Sequence, residues 1–229
     1  MKKTPVVLVV AFVCTGYGQD RFEKARVAMV QHQIVARGVQ DVSTLRAMKH
    51  VPRHQFVPPE WIDDAYADSP LPIGLEQTIS QPYIVALMTE SIKPLKGQRV
   101  LEVGTGSGYQ AAVLAEIVDT VFSIELLPEL AAEASERLKR LGYKNVVVRQ
   151  GDGYKGWKEH APFDAILVTA AADDIPPDLI EQLKDGGVMI IPVGPAGTVQ
   201  ELMVVKKHGR TITTQSKIPV RFVPLVHPR

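Results

Sequence analysis

A glycine-rich turn with acidic residues around it is the part of the sequence most typical of ligand binding. The turn comprises Gly104, Thr105, Gly106, Ser107 and Gly108. Glycines let the backbone bend sharply and let a ligand approach the main chain closely. The turn follows a short β-rich run, and open α/β sheets bind ligands at the carboxyl ends of their strands. Such turns also serve strand–helix packing alone, so the glycines by themselves do not decide the function.

The residues next to the turn favour a cationic ligand over a dinucleotide. A dinucleotide fingerprint would place its third glycine at position 109, where this chain has Tyr109. Glu102 lies two residues before Gly104, and its carboxylate would repel a phosphate. A ligand with an ammonium and a sulfonium group suits that carboxylate better. A nicotinamide-dependent oxidoreductase is therefore the weaker of two enzyme hypotheses.

Acidic residues also follow the next two predicted strands. Glu125 ends the second strand, where a carboxylate can accept both hydroxyls of a ribose; a solvated strand end is the structural alternative. Asp152 lies between Gly151 and Gly153, where it can bond an adenine amino group or form a turn. Because these strand ends meet at one edge of the sheet, we expect a single crevice there.

A polar segment before a predicted helix supplies the candidate catalytic group. The segment runs from a proline-rich loop to Pro82 and comprises Gln77, Thr78, Ile79, Ser80 and Gln81. Ser80 is a good N-cap for the helix, with Pro82 in its first turn, and this role is purely structural. Capping leaves the polar residues before Ser80 unexplained, so Ser80 is also a candidate hydrogen-bond donor in a site.

Alternating strands and helices must position these residues. The predicted strands are Arg99–Val103, Thr120–Ile124, Val146–Gln150, Ala165–Thr169 and Val188–Pro192. Between the second and third strands, apolar residues step by three and four, which predicts a helix. Two further β-rich runs, Glu201–Val205 and Thr211–Thr214, predict an antiparallel hairpin. The expected fold class is α/β: a doubly wound, mainly parallel sheet, with an N-terminal helical and loop extension and a C-terminal antiparallel hairpin.

The N-terminal part of the chain has a different character. Lys2 and Lys3 precede an apolar run, and small residues follow at Gly16 and Gly18, so residues 1–18 have the layout of a secretory leader. The run is too short for a membrane span, which needs roughly 20 apolar residues, and a buried N-terminal element is the alternative. Residues 19–96 are predicted as a helical and proline-rich segment and residues 97–229 as the core, together one compact domain.

Composition excludes several function classes. Lys and Arg total 26 and Asp and Glu total 25, so the net charge is +1 and no nucleic-acid partner is expected. No stable membrane association is expected either. Cys14 is the single cysteine, so no cysteine zinc site can form and no metal is expected. His50 and His54 are expected to be structural, since no Ser/His/Asp spacing accompanies them.

From about Asp20 to Pro228 the chain resembles a bacterial protein-L-isoaspartate O-methyltransferase. Besides the glycine turn, the resembling segments are residues 51–58, 65–74, 77–82, 163–171 and 220–225. The segments Thr-Ile-Ser-Gln-Pro at 78–82 and Arg-Phe-Val-Pro-Leu at 221–225 are nearly specific to that family. The resemblance implies a Rossmann-like class I S-adenosylmethionine-dependent methyltransferase that methylates the free carboxylate of L-isoaspartyl residues in damaged proteins and peptides; activity on D-aspartyl residues is left open.

The resemblance also implies roles for individual residues. Ser80 is the expected catalytic donor that orients the substrate carboxylate. The expected cofactor residues, for S-adenosylmethionine and the product S-adenosylhomocysteine, are Thr78, Ile79, Glu102, Gly104, Thr105, Gly106, Ser107, Gly108, Glu125, Asp152 and Gly153. The expected substrate residues are Gln77, Gln81, Arg221, Phe222 and Val223. A monomer is expected.

Two features depart from the family pattern and keep alternatives open. Glu76 stands where family members usually carry glycine, and we expect slower turnover from it rather than lost activity. The leader-like residues 1–18 suggest export, whereas family members are generally cytosolic and the cofactor is made in the cytosol. An exported cofactor-binding protein without turnover, or a methyltransferase of small-molecule carboxylates, is therefore an alternative.

Overall fold

The computed structural model describes residues 16–228, so the apolar part of the leader-like segment lies outside the described residues. The helices within this range are α1 Gly16–Met29, α2 Val42–His50, α3 Pro82–Ser91, α4 Tyr109–Ala115, α5 Pro128–Arg140 and α6 Pro177–Gln182. The strands are β1 Leu71–Gly74, β2 Gln77–Ile79, β3 Arg99–Val103, β4 Thr120–Glu125, β5 Val146–Gln150, β6 Phe163–Val168, β7 Leu183–Val193, β8 Gln200–His208 and β9 Thr211–Val220. No helix of this range is long and apolar enough to cross a membrane.

Seven strands form one sheet in the order β5-β4-β3-β6-β7-β8-β9. The pairs from β5 to β7 are parallel, and β7–β8 and β8–β9 are antiparallel. The predicted fold class, a doubly wound and mainly parallel sheet with a C-terminal antiparallel hairpin, is confirmed. All five predicted parallel strands are present, although β7 begins five residues earlier than predicted.

Strand β3 lies inside the sheet between β4 and β6, and its side chains are buried on both faces. Val100 packs in a cluster with the N-terminal helices, while Leu101 and Val103 pack in a second cluster on the opposite face. A strand covered on both faces needs a nearly continuous apolar run, which residues 100–103 provide except at Glu102. Two layers of helices and loops therefore sandwich the sheet.

The N-terminal helices cover one face of the sheet. Helix α1 continues through a wide π turn, Val30–Ile34, and a 3₁₀ turn that ends where Gly38 has a φ of +90°. Gly38 thus ends the first helix, as predicted. Helix α2 begins after Asp41, whose carboxylate accepts a hydrogen bond from the Thr44 backbone N–H at 2.7 Å. Buried side chains such as Met48 fix these helices against the core.

A small antiparallel hairpin, β1–β2, follows the proline-rich segment, and the sequence did not predict it. Pro72 pairs with Thr78 and Gly74 pairs with Gln77, so Leu75 and Glu76 form a two-residue turn. Both turn residues are left-handed, with φ of 51° and 59°. Turns of this kind prefer Asn and Gly, because a side chain at positive φ is strained. The hairpin leads directly into Ser80.

Replacing Glu76 with glycine should stabilise the protein. Glycine adopts positive φ without steric cost, so we expect Glu76→Gly to raise the melting temperature by roughly 2–4 °C, corresponding to about 1 kcal/mol. Differential scanning calorimetry measures the change. Glu76→Ala is the control, because it removes the carboxylate but keeps the Cβ atom. An equal rise in Glu76→Ala would show that charge, and not backbone strain, is responsible.

One carboxyl group is wholly buried in the sheet. Glu102 on β3 has no exposed surface and accepts a hydrogen bond from the Ser123 hydroxyl on β4. Its other oxygen, Oε1, has no partner within the described residues. Burial, together with a smaller effect of the Glu125 charge, raises the pKa of Glu102 from 4.5 to about 8 despite the opposing effect of the Ser123 hydrogen bond. The carboxyl group is therefore largely protonated at neutral pH.

This raised pKa should make folding stability depend on pH. Between pH 4.5 and 8, folded Glu102 keeps a proton that the unfolded chain releases, so stability falls as pH rises through this window. Glu102→Gln cannot ionise and should lack this loss. As pH rises within this window, we expect the free energy of unfolding of Glu102→Gln to increase relative to that of the wild type by up to about 1.4 kcal/mol per pH unit.

Urea denaturation of both proteins at pH 5, 7 and 9 measures the difference. Other titrating groups are common to the two proteins and cancel in the comparison. Parallel pH profiles for wild type and variant would show that Glu102 is ionised in the folded protein.

Candidate active site

The glycine turn lies where the sheet reverses its direction of winding. Strands β3 and β6 are adjacent, and the chain leaves their carboxyl ends toward opposite sides of the sheet. Gly104 follows β3 with a φ of +96°, and Thr169 follows β6. The Thr169 hydroxyl donates to the Gly104 carbonyl at 2.6 Å. A Cβ atom on Gly104 would lie 2.5 Å from that hydroxyl, so only glycine fits here.

Glu125 holds the turn from the neighbouring strand. Its carboxylate accepts the backbone N–H of Gly106 at 2.8 Å and that of Leu127 at 3.0 Å. Arg137 on α5 fixes the far side of the turn, donating to the Ser107 carbonyl at 2.9 Å. The turn is therefore tied to both β4 and α5.

A cleft opens above the turn and encloses about 880 Å³ of space, part of it open to solvent. Its walls come from the hairpin segment, the turn, the end of β4 and the C-terminal segment. The cleft is lined by Gln77, Thr78, Ile79, Ser80, Val85, Val103, Gly104, Thr105, Gly106, Ser107, Tyr109, Gln110, Ile124, Glu125, Leu126, Leu127, Gly153, Thr169, Ala170, Val223, Pro224, Leu225 and Val226.

A second cavity of about 1000 Å³ adjoins this cleft. It is lined by Pro70, Thr78, Ser80, Gln81, Ile84, Thr169, Val199, Pro219, Val220, Arg221, Phe222 and Val223. Four residues belong to the walls of both spaces, namely Thr78, Ser80, Thr169 and Val223. A group bound in one space would therefore meet a group bound in the other beside these residues.

The two spaces differ in charge. Among the described residues, Glu125 is the single carboxylate in the wall of the first cleft. No Asp or Glu of residues 16–228 lines the second cavity, where Arg221 is the charged residue. A cationic ligand is thus favoured in the first cleft and a carboxylate in the second.

Ser80 is not the N-cap of α3, so the capping interpretation is wrong. Gln81 occupies the N-cap position, Pro82 is the first helical residue, and no side chain caps the helix. The Gln81 amide instead donates to the Asp68 carboxylate at 2.7 Å. No group within residues 16–228 hydrogen-bonds the Ser80 hydroxyl, which remains available to a ligand at the junction of the two spaces.

Most of the predicted cofactor residues lie together in the first cleft. Those in its walls are Thr78, Ile79, Gly104, Thr105, Gly106, Ser107, Glu125 and Gly153. Gln77, expected at the substrate, also lines this cleft and not the second cavity. The other expected substrate residues, Gln81, Arg221, Phe222 and Val223, line the second cavity.

Three predicted cofactor residues do not line the cleft. Glu102 lies below it and is linked to Thr105 through Ser123, whose hydroxyl is 2.6 Å from the Thr105 hydroxyl. Gly108 precedes α4 and packs against α5, where a Cβ atom would lie 3.2 Å from Leu138. Asp152 accepts the Tyr154 backbone N–H at 2.9 Å.

The carboxylate of Asp152 also holds the C-terminal segment. His227 Nδ1 lies 3.1 Å from Asp152 Oδ2, and the His227 ring stacks on Tyr154 at 4.2 Å. Earlier in the same segment, the backbone N–H of Leu225 donates to the Ala171 carbonyl at 2.7 Å, and the backbone N–H of Ala171 donates to the Val223 carbonyl at 2.8 Å. The segment is thereby fixed as one wall of the cleft.

The sequence interpretation missed Thr169, Gln110 and the apolar residues Pro224 to Val226 as wall residues. A signal existed for Thr169, because it is the last residue of the predicted strand Ala165–Thr169, which ends at the same sheet edge. His54 bonds the Tyr66 hydroxyl at 2.7 Å and stacks on Phe22, and neither His50 nor His54 lines either space. Within residues 16–228, no three His, Cys, Asp or Glu side chains are arranged to hold a metal ion.

Comparison with known sequences identifies relatives along nearly the whole chain. A family profile described as protein-L-isoaspartate (D-aspartate) O-methyltransferase matches residues 24–229. A protein-L-isoaspartate O-methyltransferase of Opitutus terrae is 52% identical over 221 residues, which are 95% of this chain and 95% of that protein. A second relative with this activity in its name, from Polaromonas, is 57% identical over 190 residues, covering 82% of this chain and 90% of its own.

Solved structures agree with these relatives. A protein-L-isoaspartate O-methyltransferase with 31% identity superimposes with a TM-score of 0.79 over 88% of this chain, which covers 65% of that longer chain. A Plasmodium falciparum protein described as a putative protein-L-isoaspartate O-methyltransferase, solved with S-adenosyl-L-homocysteine, has 27% identity and a TM-score of 0.74. The match covers 88% of this chain and 98% of that one. The chain therefore belongs to the protein-L-isoaspartate (D-aspartate) O-methyltransferase family.

Proposed function

We propose that the protein transfers the methyl group of S-adenosylmethionine to the free carboxylate of L-isoaspartyl residues in damaged proteins and peptides, which initiates their repair. The observation that carries this proposal is the position of Ser80 in the walls of both spaces. A methyl donor in the first cleft and a carboxylate in the second cavity would meet beside its hydroxyl.

The first cleft fits the cofactor. When bound, S-adenosylmethionine supplies a methyl group on a cationic sulfonium, which a carboxylate oxygen can displace in line. Glu125 is placed to accept the ribose hydroxyls, and the backbone of Gly104 and Gly106 permits close approach. Gly153 has no room for a side chain, since a Cβ atom there would lie 2.4 Å from Val103. We assign the adenosine end to this part of the cleft.

The second cavity fits a substrate carboxylate. A carboxylate is ionised at neutral pH, so the reaction needs no strong general base. Arg221 attracts the negative charge, and the absence of Asp and Glu from the cavity wall avoids repulsion. Ser80 donates a hydrogen bond that orients one carboxylate oxygen and leaves the other free to attack. Such positioning is worth up to about 7–11 kcal/mol of the barrier in intramolecular models.

The C-terminal part of the wall suits a peptide substrate. Residues 219–223, the end of β9 and the three residues after it, line the second cavity, and the Arg221 side chain is exposed. Backbone groups along this edge that have no partner within the protein can pair with an extended, kinked peptide, and such pairing makes few demands on flanking side chains. The partners are accordingly isoaspartyl-containing proteins and peptides, and the protein acts as a monomer.

Residues 19–96 and 97–229 act as one unit in this proposal, because Thr78 and Ser80 come from the first segment and the glycine turn comes from the second. The supply of the cofactor favours the cytosol as the site of the activity, whereas cleavage of residues 1–18 would indicate export.

The activity can be tested with two peptides that differ in one linkage. The full chain is incubated with methyl-labelled S-adenosylmethionine and a peptide that contains either an isoaspartyl or an aspartyl residue at the same position. We expect base-labile label on the isoaspartyl peptide only. Label on neither peptide, together with measured cofactor binding, would indicate a binding protein without turnover. Label only on small carboxylic acids would indicate a different methyltransferase.

The role of Ser80 predicts a selective loss in Ser80→Ala. Losing one positioned donor should lower kcat by roughly tenfold to a thousandfold, while the dissociation constant of S-adenosylhomocysteine stays nearly unchanged. Initial rates with the isoaspartyl peptide and calorimetric titration with S-adenosylhomocysteine measure the two quantities.

Ser91→Ala is the matched control, because Ser91 bonds the Leu87 carbonyl and lies outside both spaces. Its kcat should equal that of the wild type. Equal losses of cofactor affinity and of turnover in Ser80→Ala would contradict the assigned role.

A further inference from the structure

Gln81 has one hydrogen-bonding atom without a partner beside the second cavity. It is the N-cap residue of α3, lines the second cavity and is half-buried. Its Nε2 donates to the Asp68 carbonyl at 3.0 Å and to the Asp68 carboxylate at 2.7 Å, so both amide protons are used. Its Oε1 accepts no hydrogen bond from residues 16–228 and, unlike the buried unpaired atoms of the core, is not closed off from solvent.

The partners of the amide fix which of its ends is free. A carbonyl and a carboxylate oxygen are both acceptors, so only the amide nitrogen can face Asp68. Asp68 is itself held by an ion pair with Arg37, whose guanidinium lies 4.0 Å from the centroid of the Tyr83 ring. Arg37 Nε also donates to the Gln33 carbonyl at 2.8 Å. The orientation of the Gln81 amide is therefore fixed before a substrate binds.

The free oxygen favours a hydrogen-bond donor over an anion. An amide oxygen carries partial negative charge, so it repels a substrate carboxylate and attracts an N–H group. The ion pair between Asp68 and Arg37 balances the charge beside the amide, so a neutral donor is sufficient. The backbone of a peptide substrate supplies such donors as its N–H groups.

The covalent structure of an isoaspartyl residue decides which N–H group lies within reach. Its free α-carboxylate and its own amide N–H are attached to the same Cα atom. In an aspartyl residue the free carboxylate is one carbon atom farther from that N–H. Ser80 and Gln81 are consecutive residues, and both line the second cavity. A carboxylate bound beside the Ser80 hydroxyl therefore brings the N–H on the same Cα next to Gln81.

We propose that Gln81 accepts, through its Oε1, a hydrogen bond from the amide N–H of the isoaspartyl residue. Gln81 is thus a specificity-determining residue that recognises the short separation between this N–H and the carboxylate. The inference rests on the proposed function and deepens it, because it names a group that distinguishes isoaspartyl peptides from aspartyl peptides and from small carboxylic acids. Asp68 is a positioning residue that holds the amide with its oxygen free.

A change of one group in the substrate tests this contact. In a depsipeptide, an ester oxygen replaces the N–H of the isoaspartyl residue and the carboxylate is unchanged. We expect the wild type to methylate this ester peptide with a kcat/KM roughly 3- to 15-fold lower than that for the amide peptide, since one hydrogen bond is lost. Gln81→Met lacks the acceptor, so it should lose a similar factor on the amide peptide. Its kcat/KM values for the two peptides should agree within about twofold.

Initial rates of methyl incorporation at low peptide concentration give the four values. Gln98→Met makes the same substitution outside both spaces and should keep the wild-type ratio between the two peptides. Gln81→Ala serves as a second variant if Gln81→Met does not fold. The dissociation constant of S-adenosylhomocysteine should be the same in Gln81→Met and the wild type, because Gln81 does not line the first cleft.

Two results would overturn the inference alone. They are equal kcat/KM values of the wild type for the two peptides, and a ratio in Gln81→Met that equals a wild-type ratio above one. In both cases methylation of the amide peptide by the wild type would still support the proposed function. If the wild type methylates neither peptide, the proposed function and the inference are both wrong.

Discussion

The close contact between Gly104 and Thr169 is the constraint on which the site depends. Two strands that leave the sheet toward opposite sides can form a crevice only if the first turn stays free of side chains, and Gly104 meets this requirement. The Thr169 hydroxyl bonds the Val103 and Gly104 carbonyls and so fixes the two strand ends together. The first cleft and the second cavity both use Thr169 as a wall, so their mutual position follows from this contact.

The separation of charge across that wall accounts for the chemistry. Glu125 lies in the wall of the first cleft and Arg221 in the wall of the second cavity, so each space favours a ligand group of opposite charge. Glu102 does not add a second negative charge at neutral pH, because its burial keeps it protonated. Methyl transfer between a cation and an anion needs little from the protein besides alignment, which agrees with the finding that no residue of 16–228 hydrogen-bonds the Ser80 hydroxyl.

Local patterns explain which features could be predicted from the sequence. The strands around Gly104 and Glu125 have apolar runs that end in turn residues, and such patterns are independent of the rest of the chain. The β1–β2 hairpin was missed because Leu75 and Glu76 are not turn formers. The prediction of Ser80 as the N-cap is wrong because the N-cap is Gln81, one residue later. The Gln81 side chain makes no capping hydrogen bond, so its residue type gave no signal for this position.

Other features depend on residues far apart in the sequence. The Asp152 carboxylate is bonded to His227, 75 positions away, so no local pattern could show that its Oδ2 already has a partner. The lack of a partner within residues 16–228 for the Gln110 side-chain oxygen likewise depends on Thr89, whose hydroxyl donates its proton to the Val85 carbonyl and accepts from the Gln110 amide nitrogen. Both features can be recognised only from the three-dimensional arrangement of the side chains.

The strand order also decides how much chain lies between the two walls of the cleft. Val100 of β3 pairs with Val121 of β4 and with Ala165 of β6, so one neighbour is much closer in the chain than the other. Closing the longer loop costs more conformational entropy. Glu125 comes from the strand that is paired through the shorter loop, whereas Thr169 follows the strand that is paired through the longer one. A cleft that has both walls therefore depends on the entropically costlier of the two pairings.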